Sequence, residues 1–210
     1  TMTQYGFYID VSACSGCKTC QIACKDKNNL DLGVLWRRVY EISGGDWLKR
    51  TSGAWEPRLA NYYLSISCNH CEAPACLPAC PTEAIFKNED GLVLINDNKC
   101  IGCKYCEWAC PYGAPQFDIA SGLMTKCDLC YDYLKDSKLP SCVSSCPMRA
   151  LDFGQMDVLQ EKYGSNRSVY PLPRTDELKP SLVITPHAEA KLAEELSAKI
   201  VNKEETENVS

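Results

Sequence analysis

From its fifth residue the chain alternates, with Tyr5, Phe7 and Ile9 on one side and Gly6, Tyr8 and Asp10 on the other. A period of two predicts a strand. Trp36-Arg37-Arg38-Val39-Tyr40-Glu41-Ile42 and Tyr62-Tyr63-Leu64-Ser65-Ile66 also read as strands, with Gly44-Gly45 and Ser52-Gly53 breaking the segment between them. Ala84-Ile85-Phe86-Lys87 and Leu92-Val93-Leu94-Ile95 flank Asn88-Glu89-Asp90-Gly91. Two apolar runs around an Asp-Gly turn predict a β-hairpin. A second hairpin is predicted over residues 115–126, turning near Ser121-Gly122, and a strand over residues 150–153. Helical spacing comes late. Met156, Leu159 and Tyr163 predict a short helix closed by Gly164. Leu192, Leu196 and Ile200 form one stripe, predicting a helix over residues 188–201. Between them Pro171, Pro173, Pro180 and Pro186 predict an extended path, and the polar end NKEETENVS is expected to be loose.

Hairpins and short helices supply little core for 210 residues, a length that suits one large domain or two small ones. No apolar run approaches the ~20 residues of a membrane span. The opening TMTQYGFYID has neither a basic n-region nor an apolar h-region, so no secretory signal is expected. The chain is expected to be soluble on its own and made in the cytoplasm without an export address. A net charge of -5 without a long basic run argues against nucleic acid as a partner.

Sixteen cysteines change the picture. They form four groups of four with none left over: Cys14, Cys17, Cys20, Cys24; Cys68, Cys71, Cys76, Cys80; Cys100, Cys103, Cys106, Cys110; and Cys127, Cys130, Cys142, Cys146. Proline follows the last cysteine of every group except the first. Disulfides suit shorter secreted chains, and C-x2-C-x2-C runs leave little freedom for disulfide geometry. Zinc takes two close pairs separated by a longer loop, which fits the last group in part and the packed run CIGCKYCEWACP not at all. Iron–sulfur chemistry fits throughout. Each iron corner of a cubane takes one thiolate, a C-x2-C-x2-C loop holds three corners, and the fourth cysteine reaches another cluster. Sixteen thiolates then make four 4Fe-4S clusters.

Exchange of fourth cysteines forces the groups to pair. The predicted fold class is α+β, with two ferredoxin-like modules of the bacterial two-cluster type, one inserted in the other. Residues 1–24 plus 111–164 form the outer module, residues 25–67 a hairpin insert, residues 68–110 the inner module, and residues 165–210 an extended partner-binding tail with a short helix. Metal binding of this kind is coupled to folding, so the apo chain is expected to fold poorly.

With every cysteine a ligand, no Ser/His/Asp or Cys/His constellation and no Gly-rich phosphate loop remains. The chain is therefore expected to conduct electrons without catalysing a reaction. Lys18, Lys104 and Lys126 sit in or beside the ligand loops. A cation there would raise a cluster's potential; otherwise these are ordinary solvated lysines. His70 could suggest a Rieske-like centre, but those take two histidines and the other one is His187, so a hydrogen-bonded or exposed loop histidine is expected. Trp108 is expected to pack around a cluster.

YGFYIDVSACSGCKTCQIACKD, YYLSISCNHCEAPAC, CIGCKYCEWACPYGAPQFD, MTKCDLCYD and SCPMRALDFG together resemble the four-cluster ferredoxin-like subunits of molybdopterin oxidoreductases, in the branch of anaerobic dimethyl sulfoxide reductase iron–sulfur subunits. The resemblance runs from Tyr5 to Pro186. It implies a molybdopterin catalytic subunit that reduces S- or N-oxides, a quinol-oxidising membrane subunit, and this chain carrying electrons between them. The implied ligand sets are Cys14, Cys17, Cys20 and Cys146, nearest the catalytic subunit; Cys24, Cys127, Cys130 and Cys142; Cys68, Cys71, Cys76 and Cys110; and Cys80, Cys100, Cys103 and Cys106, nearest the membrane. Nitrate reductase subunits of this type place tryptophan at the position of Cys103, and formate dehydrogenase subunits add a C-terminal membrane helix; this chain does neither. Tetrathionate, polysulfide, selenate or formate complexes are alternative settings for the same role, and a zinc-bearing interaction module is a distant one. The implied location is at the membrane through partners, on the periplasmic side after folded co-export.

Overall fold

The computed structural model describes residues 3–174 and 176–206; the last part of the predicted loose end, 207–210, lies outside the described residues. Strand β1 (Tyr5–Asp10) leads to helix α1 (Thr19–Lys27) and to two long strands, β2 (Arg38–Lys49) and β3 (Trp55–Ile66). Hairpin β4 (Ile85–Lys87) and β5 (Val93–Ile95) precedes helix α2 (Tyr105–Trp108) and hairpin β6 (Gln116–Asp118) and β7 (Leu123–Thr125). Helices α3 (Tyr131–Lys135) and α4 (Ser141–Ser144), strand β8 (Leu151–Gln155) and helix α5 (Met156–Tyr163) follow. Strand β9 (Leu182–Thr185), helix α6 (Ala190–Glu195), strand β10 (Lys199–Ile200) and helix α7 (Lys203–Thr206) complete a mixed α and β fold.

β1 is the middle strand of a three-stranded sheet ordered β8-β1-β9. Phe7 stands opposite Phe153 in the antiparallel pair and opposite Leu182 in the parallel one. Alternation along β1 separates two cores. Phe7 and Ile9 join the main core, while Tyr8 packs with Met156, Leu159 and Val183 beneath α5. The predicted strands, hairpins and helix around this sheet form where expected, including the turn near Ser121-Gly122 and the Gly164 stop.

Four expectations are overturned. The prolines do not give a free extended tail. Leu182, Val183 and Ile184 are at most 1% exposed and form β9 against β1. Pro180 and Pro186 bracket a short apolar run, the mark of a strand buried on both faces, and the parallel pairing leaves no local trace in sequence. Gly44-Gly45 does not break the insert. β2 and β3 pair continuously from Arg38↔Ile66 to Lys49↔Trp55, and the turn is at Ser52-Gly53. The glycines serve close approach instead, since a Cβ on Gly44 would stand 2.6 Å from Ala198 Cα and one on Gly45 2.9 Å from Leu59 Cα. Finally, the helix predicted over 188–201 stops at Glu195. Ser197, at φ 52, turns the chain into β10, where Ile200 pairs with Ile42. Nor is the described start of the polar end loose. Asn202 Nδ2 donates to Val39 O at 2.9 Å, Glu41 N donates to Asn202 Oδ1 at 2.8 Å, and Thr206 is buried.

Candidate iron–sulfur sites

Each C-x2-C turn contains backbone in the left-handed region. Gly16 (φ 71) and Lys18 (φ 60) lie in the first, His70 (φ 43) in the second, Gly102 (φ 67) and Lys104 (φ 62) in the third, and Leu129 (φ 63) and Cys130 (φ 50) in the fourth. Residues other than glycine adopt this region at a cost and hold it where surroundings require it. Such turns gather successive N–H groups into a concave nest that receives anions. A second device recurs after the fourth cysteine of three groups: CPTEA, CPYGA and CPMRA. Glu83, Gly113 and Arg149 have φ 52, 57 and 52, and each donates its N–H back to the cysteine carbonyl three residues earlier, at 3.3, 3.0 and 3.3 Å. The alanine that follows is buried in every case. Sequence reasoning noted only the proline of this unit; the repeated C-P-x-x-A would have revealed it.

The expected sets come together across the sequence. Cys68, Cys71, Cys76 and Cys110 line one pocket. Cys14, Cys17, Cys20 and Cys146 line a second. Cys80, Cys100, Cys103 and Cys106 line a third. Cys24, Cys127, Cys130 and Cys142 are all buried, with Cys24 within electrostatic reach of Cys142 and Cys130, and Cys127 within reach of Cys24 and Cys142. Neighbouring sets meet in order: Cys20 is within reach of Cys142, Cys127 of Cys68, and Cys76 of Cys106.

Burial pushes most of these thiols up: Cys24, Cys71 and Cys76 to about 12, and Cys14, Cys106 and Cys130 to about 11. Cys17 is lowered, chiefly by the Thr19 hydroxyl. Cys80 is lowered despite desolvation, by the Thr82 hydroxyl and the backbone N–H groups of Ile85, Thr82 and Ala84. Metal ligation by these thiols requires their deprotonation, so loading releases protons.

The residues fit an iron–sulfur group. Among the described residues, no three His, Cys, Asp or Glu side chains approach closely enough to share one metal ion. Three of the sets place four thiols on one shared pocket, the arrangement that the four iron corners of a cubane require. Arg37 Nε, Arg38 Nε and Asn69 Nδ2 are buried donors without a protein partner, and Asn69 lines the Cys68 pocket. A buried unsatisfied donor costs about 1–3 kcal/mol, which for Asn69 a sulfur acceptor in the pocket it lines would offset.

The remaining candidates sort by contact. His70 is buried, and its Nδ1 accepts the Val93 N–H at 3.0 Å, so it is a hydrogen-bonded loop histidine. Lys18 pairs with Glu205, and Lys104 lies 4.4 Å over the Phe117 ring. Lys126 is the buried one of the three lysines, donating to Cys127 O at 3.0 Å and to Val93 O. Trp108 does not pack around a pocket: it is 73% exposed and leans on Tyr105 at 5.5 Å, because the four-residue α2 turns that side chain outward. Sequence reasoning missed Arg37 and Arg38 as site residues. The signal was present, since adjacent residues of an extended segment face opposite ways and one of two consecutive arginines must then face inward.

Comparison with known proteins agrees with this geometry. The family model described as a 4Fe-4S dicluster domain matches residues 59–156. The B subunit of anaerobic dimethyl sulfoxide reductase from Escherichia coli (strain K12) is 52% identical, covering 97% of this chain and 98% of the relative. The subunit of the same name from Haemophilus influenzae is 50% identical over 97% of this chain and all of its own length. The B subunit of polysulfide reductase from Wolinella succinogenes is 35% identical, with 88% and 95% covered. These likenesses and the cysteine pockets place the protein in the family of 4Fe-4S iron–sulfur subunits to which the B subunit of anaerobic dimethyl sulfoxide reductase belongs.

Proposed function

We propose that this chain carries four 4Fe-4S clusters and relays electrons from a quinol-oxidising membrane subunit to a molybdopterin catalytic subunit that reduces dimethyl sulfoxide or related S- or N-oxides. The observation that carries the reading is the linear order in which the four thiol sets adjoin one another. Cys14, Cys17, Cys20 and Cys146 hold the cluster facing the catalytic subunit. Cys24, Cys127, Cys130 and Cys142 hold the next, and Cys68, Cys71, Cys76 and Cys110 the third. Cys80, Cys100, Cys103 and Cys106 hold the cluster facing the membrane subunit. When bound, each cluster supplies one-electron redox chemistry. The chain's residues hold the irons, exclude water and set local charge, while substrate chemistry belongs to the catalytic partner.

Residues 1–24 plus 111–164 act as the outer ferredoxin-like module and residues 68–110 as the inner one, with residues 25–67 as the hairpin insert. The β1–β8 pairing, which joins the segment before the first group to the segment after the fourth, supports this division. Residues 165–210 add β9 to the outer module's sheet. Among the described residues no helix is long and apolar enough to cross a membrane. The protein reaches the membrane through its partners, on the periplasmic side after folded co-export.

Purification of the native complex tests the reading. Copurification with a molybdenum subunit and turnover of sulfoxides or N-oxides support it; a complex without molybdenum or tungsten contradicts it. Likeness to the B subunit of polysulfide reductase makes polysulfide a competing substrate to include in that panel.

A further inference from the structure

Arg37 directly precedes β2 and is 1% exposed. Its Nη1 donates to Ser65 Oγ at 3.2 Å and its Nη2 to Ser67 Oγ at 2.9 Å. The guanidinium lies 4.5 Å over the Phe7 ring. Among the described residues it forms no ion pair with a carboxylate. A buried guanidinium is costly unless negative charge stands nearby. The groups within its electrostatic reach are thiols of two sets: Cys142, Cys127 and Cys24 from one, Cys20 from the other. The link to Cys20 is also geometric, because Ser65 Oγ lies 3.3 Å from Cys20 Sγ. With Arg37 donating to the Ser65 oxygen, the hydroxyl proton is free to point at that sulfur. Arg37 Nε has no protein partner at all. Arg38 turns the other way and donates to Tyr112 O at 2.8 Å.

We propose that Arg37 is a shared tuning residue: a fixed cation between two ligand sets, relayed to Cys20 by Ser65, that raises the reduction potentials of both outer clusters together. The inference rests on the ligand sets proposed above. A cubane with four thiolates is anionic and gains one further negative charge on reduction, so a nearby fixed cation in a medium of low dielectric favours the reduced form. One electron arrives and one leaves; no bond forms or breaks, and the guanidinium keeps its protons. Because one charge serves two sets, their potentials move together and the difference between them is little changed by it.

The test uses the native complex carrying Arg37→Met, Arg37→Lys or Ser65→Ala, prepared without oxygen. Iron and sulfide are measured first, then the paramagnetic signals are titrated against potential. In Arg37→Met the reduced-to-oxidised ratio at fixed potential is expected to fall about tenfold at both outer clusters, about 59 mV for a one-electron couple, while the inner two do not move. Arg37→Lys keeps the charge and both potentials close to wild type. Ser65→Ala lowers only the cluster that contains Cys20. Full iron with unmoved potentials in Arg37→Met, or an equal shift of all clusters, overturns the inference. If Arg37→Met holds less than full iron, Ser65→Ala decides: one lowered signal supports the inference and none overturns it. A wild-type complex short of iron and sulfide overturns instead the ligand assignment on which it rests, and that result appears before any titration begins.

Discussion

Tyr63 occupies the space that a side chain on Gly16 would need: a Cβ on Gly16 would stand 2.5 Å from Tyr63 Cγ. Tyr63 belongs to β3 of the insert, and Gly16 lies inside the first cysteine loop at φ 71. The insert therefore braces a ligand loop. Gly16→Ala meets both the ring and an unfavourable backbone conformation. The expected result is loss of one cluster, with iron falling from about sixteen to about twelve per chain. Tyr63→Ala in the same chain removes the clash and should restore part of the iron.

Ile184 tests whether the segment after Pro180 belongs to the core. It is buried in β9 beside Ile9 of β1. Ile184→Ala is expected to cost roughly 2–5 kcal/mol, read as a lowered unfolding midpoint under anaerobic conditions. A midpoint equal to wild type would return this segment to the free tail that its prolines suggest.

Asn202 ties the end of the described chain to β2 through two hydrogen bonds. Asn202→Leu leaves the Glu41 N–H and the Val39 carbonyl without these partners. A cost of about 1–3 kcal/mol is expected, with faster hydrogen exchange at the Glu41 amide. Unchanged exchange there would show that the contact does not hold in solution.

Removing iron should unfold the cysteine loops. Their residues Lys18, His70, Lys104, Leu129 and Cys130 hold a costly left-handed backbone, and ligation of the neighbouring thiols would offset that cost. The apo chain is therefore expected to lose its cooperative thermal transition, followed by circular dichroism. An apo chain that melts as sharply as the loaded one contradicts the coupling of folding to metal.

The parts of the fold that sequence made legible are those with local signatures. Alternation marked β1, and the Asp-Gly turn marked the hairpin of Ile85 and Ile95. Gly164 marked the end of α5. Spacing divided the sixteen cysteines into groups, and resemblance to a known family supplied four sets, of which three each line a pocket. What stayed hidden depends on distant partners. β9 is defined by lying parallel to a strand some 175 residues earlier, Tyr8 beside Val183. Gly44 looked like a breaker because its neighbour Ala198 comes from the far end of the chain. Arg37 looked like an ordinary strand residue until Ser65, Ser67 and the thiols closed around it. A run of similar apolar spacing gave one helix to Ile200, yet a left-handed turn at Ser197 made that residue a strand partner of Ile42.

Metal and sulfide analysis of the anaerobically purified chain, read together with its paramagnetic resonance after dithionite, tests the cluster assignment most directly. About sixteen iron and sixteen acid-labile sulfide per chain, with signals from interacting reduced cubanes, is the predicted result. About four zinc, no sulfide and a silent spectrum would contradict it.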